Sequence, residues 1–191
     1  MKKFSLISIL TVLLVIPIFF GAYGDLFITF ELEVCAVLIL ILGFLLILLI
    51  GWTINSFGFN ETDVESMRDH NVIEALINGN KIILGIFFPI TIIMEELIFR
   101  YYLLGFLALT LHLELAISIL ISSLVFSLYH IHTWFTFKSS KILLINISYT
   151  LILGLFNGYI FFMFGIIPCI ITHYLIALSL YYNLYRKNYR I

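Results

Sequence analysis

Apolar residues fill this chain in repeated runs of about eighteen or more, separated by short polar breaks, and runs of that length read as membrane-spanning helices. The first covers residues 4–20 behind Lys2 and Lys3 and ahead of Gly21, Ala22, Tyr23 and Gly24. It exceeds the apolar core of a signal peptide and predicts an uncleaved span. Asp25, Glu31 and Glu33 then make an acidic connection to a second span over residues 34–52. Residues 53–80 are the one long polar segment, holding Glu61, Asp63, Glu65, Arg68, Asp69, His70 and Glu74. Within it Thr62 and Glu65 stand at capping-box spacing, and Val72, Ile73, Leu76 and Ile77 fall on one short helical face. That pattern predicts a solvated loop with a surface helix.

A third span begins near residue 82, contains Pro89 and runs to about residue 111, and His112, Leu113 and Glu114 read as a turn. The fourth covers residues 115–134, closed by Lys138 and Lys141. The fifth covers residues 142–162 and carries Gly154 and Gly158 at the spacing that lets helices approach closely. Gly165 and Pro168 mark a tight re-entry, and a sixth span reaches about residue 182. The expectation is an all-α, polytopic bundle of about six transmembrane helices, residues 1–191 forming one membrane domain. Its parts are two N-terminal spans (1–52), a cytoplasmic loop (53–80) and a core at about 82–184.

An even number of spans puts both termini on one side. Lys2, Lys3, Arg68, Lys81, Lys138, Lys141, Arg186, Lys187 and Arg190 all fall there, which the positive-inside rule makes cytoplasmic, at the cell membrane. Composition agrees, with 63% hydrophobic residues, 11% charged, and a mean hydropathy of +1.17. The lipid bilayer is therefore the chain's surroundings. A net charge of −1 with no basic stripe gives no sign of a nucleic-acid partner. The two cysteines, Cys35 and Cys169, sit far apart in apolar runs and read as buried thiols behaving as small hydrophobes.

Against that background Glu95, Glu96 and Arg100 stand out, three formal charges inside an apolar helix. Each costs about 2.5–3.5 kcal/mol at mid-bilayer on insertion scales, so such residues face a protein interior and mark function. Glu96 precedes Arg100 by four positions, the favourable order for a helical ion pair, which accounts for the one cation outside the topology count. Glu95 lies about 100° round the helix and is the carboxylate left for chemistry. His130 in the fourth span and His173 in the sixth are the other ionisable groups among apolar neighbours. Either alone reads as a packing residue, whereas with two intramembrane glutamates they form a constellation of acid–base groups. Glu95, His130 and His173 with an open water position would also make a catalytic zinc set, though no His-Glu-x-x-His helix is present. The cofactor reading stays open between Zn2+ and a metal-independent, glutamate-activated water. His132, two residues past His130, points to another face of a regular helix and reads as interfacial beside Trp134.

In order, Glu95-Glu96-x-x-x-Arg100, Phe126-x-x-x-His130 and a last-helix histidine at 173, behind a glycine-bearing span and a Gly-x-x-Pro turn, resemble the CAAX prenyl protease and bacteriocin-processing family of intramembrane proteases. The resemblance covers about residues 82–180. It implies an endopeptidase acting at the membrane on a peptide or membrane-associated protein, with Glu95 catalytic and Glu96 and Arg100 its neighbouring pair. It makes His130 and His173 essential, with Phe126 supporting. Members carry an asparagine four residues after the last histidine, an oxyanion donor, and here that position is Ala177. Asn157 and Asn146 are the nearest candidate amides, and loss of one such donor costs about 100-fold or more in rate. The rival readings are a proton-coupled carrier, disfavoured by the absence of an internal repeat, and a non-catalytic immunity or scaffold protein derived from the family.

Overall fold

The computed structural model describes residues 2–21, 23–26 and 33–189. Ala22, Glu31 and Arg190 lie outside the described residues, as do the side chains of Lys2, Lys3 and Asp25. Among the described residues the chain is all-helical with no strand, as its apolar runs predict, since a backbone in hydrocarbon must satisfy its own polar groups. The helices are α1 (Lys2–Phe19), α2 (Val34–Thr53, continued by a wider turn over Ile54–Gly58), α3 (Glu61–Met67), α4 (Asn71–Ile77), α5 (Phe88–Glu96), α6 (Leu115–Tyr129), α7 (His132–Phe137), α8 (Ser140–Phe164) and α9 (Ile166–Asn188).

Four stretches have the length and apolar character to cross a bilayer: Val34–Gly58, Leu115–Phe137, Ser140–Phe164 and Ile166–Asn188. Two of the six expected spans do not meet that measure, for different physical reasons. The apolar part of α1, Phe4–Phe19, is short. The third segment is helical from Lys81 to Thr110 but holds Glu95, Glu96 and Arg100, and much of it is wound as π-helix, over Ile83–Phe87, Leu97–Leu104 and Phe106–Thr110. Large apolar side chains such as Leu6, Leu42, Leu120 and Leu144 face outward, the arrangement of helices solvated by lipid, and the protein is an integral membrane protein.

Helix α6 packs along α8. A Cβ on Gly154 would meet the Ser123 Cα at 3.2 Å, and one on Gly158 would meet Ile119 Cγ2 at 2.8 Å, so the predicted small-residue spacing is the contact surface. The α8–α9 hairpin turns on Gly165 at φ 86°, a conformation side chains disfavour. On the other flank α1 lies along α5, and Tyr102 Oη donates to the Leu14 carbonyl.

The polar segment departs from a solvated loop. Met67, Val72, Ile73 and Ala75 are buried, with Met67 and Ile73 packed on Ile142 of α8 and Leu184 of α9, because the short apolar face of α4 finds the helix ends beneath it. The capping box also sits two residues earlier than expected. Asn60 Oδ1 accepts from the Asp63 N–H at 2.8 Å and Asp63 Oδ2 from the Asn60 N–H at 3.1 Å, while Thr62 only donates to Asn60. Lys141 Nζ, at 2.9 Å from Asp63 Oδ2, ties this cap to the start of α8.

Candidate active site

The charged stretch is built where the helix winding changes. Regular α-helix ends at Glu96, and wider turns over Leu97–Leu104 leave carbonyls without their ordinary partners. Ser122 Oγ of α6 donates to the Phe99 carbonyl at 2.7 Å and fixes this stretch against α6. Glu96 and Arg100, both 0% exposed, pair at 3.3 Å between Arg100 Nε and Glu96 Oε2, as the four-residue spacing predicts. Geometrically this is an ion pair and not a hydrogen bond, and the guanidinium's other support is the face of Phe126, 4.0 Å from Cζ to ring centroid. Gly154 leaves room for it, since a Cβ there would stand 3.3 Å from Arg100 Nη2.

Glu96 holds more than Arg100. His173 Nδ1–H donates to Oε1 at 2.5 Å, Asn157 Nδ2 to the same oxygen at 3.1 Å, and the Cys169 thiol to Oε2 at 3.0 Å. The carboxylate is thus engaged by the π-helical segment, α8 and α9 together. Cys169 and His173 lie one turn apart on α9, which is why both reach it. The expectation that both cysteines are passive and buried fails twice, because Cys35 is exposed and Cys169 is a hydrogen-bond donor. Asn157, a candidate oxyanion amide, is fully buried behind Glu96 and does not line the cavity. Asn146 does line it, as does Ala177.

Glu95, His130 and His173 are three walls of one cavity of about 670 Å³, enclosed by parts of α1, α2, α4, α5, α7, α8 and α9. Glu95 is 8% and His173 4% exposed, while His130 is partly buried. Phe126 stands between the imidazoles, its centroid 4.9 Å from His130 and 5.7 Å from His173, both edge-on. His130 Nδ1 lies 2.9 Å from the Phe126 carbonyl and donates to it. Both imidazoles therefore carry their proton on Nδ1 when neutral and keep Nε2 as an acceptor.

His132 is closer to this group than its spacing predicted. The fourth span does not continue as one helix to residue 134. It breaks after Tyr129 and restarts at His132, so the i,i+2 geometry of a regular helix does not hold. The His130 and His132 rings come to 5.8 Å between centroids, and His132 lines the cavity. Residues that the sequence left unmarked also line it: Tyr129, Tyr181, Asn55 and Thr91. No pattern in a single apolar run distinguishes such tyrosines from packing residues.

Among the described residues no three His, Cys, Asp or Glu side chains gather closely enough to hold a metal ion. Glu95, His130 and His173 share the cavity but do not fit a zinc site as folded, and nothing below is routed through a metal. A model of the type II CAAX prenyl endopeptidase Rce1-like family matches residues 78–179, which span α5, α6, α8 and most of α9. No curated protein and no solved structure matches the chain.

Proposed function

The chain belongs to the Rce1-like family of type II CAAX prenyl endopeptidases, and from that premise we propose that it is an intramembrane endopeptidase in which Glu95 activates a water against a peptide bond held in the cavity. The observation that carries this reading is that Glu95, His130 and His173 line one cavity, with the Nδ1 hydrogens of both imidazoles already committed. A neutral imidazole held in that way accepts through Nε2, so His130 positions the water for Glu95. Glu95 takes a proton from the water, and the resulting hydroxide adds to the carbonyl carbon. The proton passes from Glu95 to the leaving amine as the C–N bond breaks. His173, its Nδ1–H committed to Glu96, likewise presents Nε2 as an acceptor to that water. Glu96 touches no reacting atom in this scheme, and Arg100 with Phe126 holds it in place.

The substrate is a peptide or membrane-associated protein segment whose side chains meet the largely apolar lining, which includes Phe4, Ile54, Phe88 and Leu180. The distribution of basic residues supports cytoplasmic termini for a six-span topology at the cell membrane, as part of the same proposal. Ala177 on the cavity wall, where a donor amide was expected, supports a second reading, a non-catalytic member that binds such segments.

The test is a peptide-library digest in detergent, read by mass spectrometry. Wild type cleaves and Glu95→Gln does not, with rates at least about 100-fold apart, while both remain folded and inserted. Equal cleavage by the two would remove Glu95 from the reaction. Silence from both, with cellular function surviving alanine at Glu95, His130 and His173 in turn, would favour the non-catalytic reading.

A further inference from the structure

We infer that Asn157 and Cys169 are positioning residues for His173, acting through Glu96. The two oxygens of Glu96 divide their partners: Oε1 takes Asn157 Nδ2 at 3.1 Å and His173 Nδ1 at 2.5 Å, while Oε2 takes Cys169 Sγ at 3.0 Å and faces Arg100 Nε at 3.3 Å. An ionised carboxylate offers about four lone-pair sites, and three of them take directed hydrogen bonds here, with Arg100 beside the carboxylate as an ion pair. The donors come from separate helices, Asn157 from α8 and Cys169 with His173 from α9, so the carboxylate plane is fixed against both.

Without the amide and the thiol, the partner of Glu96 left besides His173 among the described residues is Arg100, which meets it as an ion pair without hydrogen-bond geometry. An ion pair tolerates rotation of the carboxylate, whereas two directed donors do not. Rotation would draw Oε1 away from His173 Nδ1 and leave that ring to choose either tautomer, and only one of them presents Nε2 as an acceptor. Asn157 and Cys169 are 0% exposed, so neither reaches a substrate, and a thiol buried to that degree is no nucleophile. Their placement suits a shell that orients the imidazole from behind. In catalytic sites the loss of such an outer partner typically costs about 10–100-fold.

The kinetic half of the test rests on the peptidase reading and the spectroscopic half does not. The full chain, labelled with 15N at histidine and purified in detergent, is compared with Cys169→Ala, Cys169→Ser and Asn157→Leu, the His173 signals being identified by their loss in His173→Gln. The wild type and Cys169→Ser, which keeps a donor, show the Nδ1–H tautomer at His173, whereas Cys169→Ala and Asn157→Leu show mixed tautomers. On a cleaved peptide those two lose about 10–100-fold in kcat with KM within about twofold, and Cys169→Ser recovers most of it. A His173 tautomer unchanged in Cys169→Ala overturns the inference, whatever Asn157→Leu does to folding. The expected tautomer pattern in a protein that cleaves no peptide supports the positioning role and removes the peptidase reading alone.

Discussion

At the scale of single residues, Arg100 is a guanidinium with no exposed surface, set against the Glu96 carboxylate and the Phe126 ring face. Removing one member of a buried ion pair leaves the other charge uncompensated, at about 3–5 kcal/mol. Arg100→Leu is therefore expected to lower stability by that order, read as thermal unfolding in detergent, and to remove activity, because Glu96 then loses the counter-charge it is packed against. The i,i+4 spacing made the Glu96–Arg100 pair readable in sequence. The roles of Cys169 and Asn157 were not readable, since nothing in a linear apolar run separates a thiol that packs from one that donates to a carboxylate 73 residues away.

Helices show the same division. The glycines of α8 were legible because small residues at four-residue spacing have one common use in a membrane, and α6 is indeed the helix they admit. Gly154→Val would push a side chain against the Ser123 backbone and Arg100 Nη2, and overpacking of this kind costs about 1–3 kcal/mol. Ser123→Gly in the same protein is expected to recover part of the loss, a coupling that a double-mutant cycle in thermal unfolding measures. The break after Tyr129, by contrast, carries no glycine or proline. Its turn is closed locally, by the His130 N–H to the Ser127 carbonyl, the Ile131 N–H to the Leu128 carbonyl and Thr133 Oγ1 to the His130 carbonyl, and it brings His132 to the cavity against the reading of a continuous helix.

Across the whole molecule, the polar segment that looked like a solvated connection closes one end of the bundle, with His70 stacked on Tyr181 at 4.9 Å and Lys141 latched to Asp63. Burial pushes the Asp63 carboxyl up, but hydrogen bonds from Lys141, the Asn60 N–H and Ser139, with the Lys141 charge, outweigh it and hold the group below its ordinary value of 3.8. A carboxyl lowered on folding stabilises the fold above its unfolded value and loses that contribution as pH falls through its folded value. Lys141→Ala is expected to cost about 1 kcal/mol or less at neutral pH, since Lys141 is half-exposed, and the gap to wild type should shrink below about pH 4. Unfolding curves of the two proteins at both pH values check it. The sequence by itself determined the membrane setting, the all-helical class, the family and the buried Glu96–Arg100 pair, because lipid makes every intramembrane charge conspicuous. The folded structure alone decided which of those charges share a wall, which way Glu96 is held, and that residues 53–80 form a cap. Each of these depends on contacts between helices far apart in sequence, and no local period records such contacts.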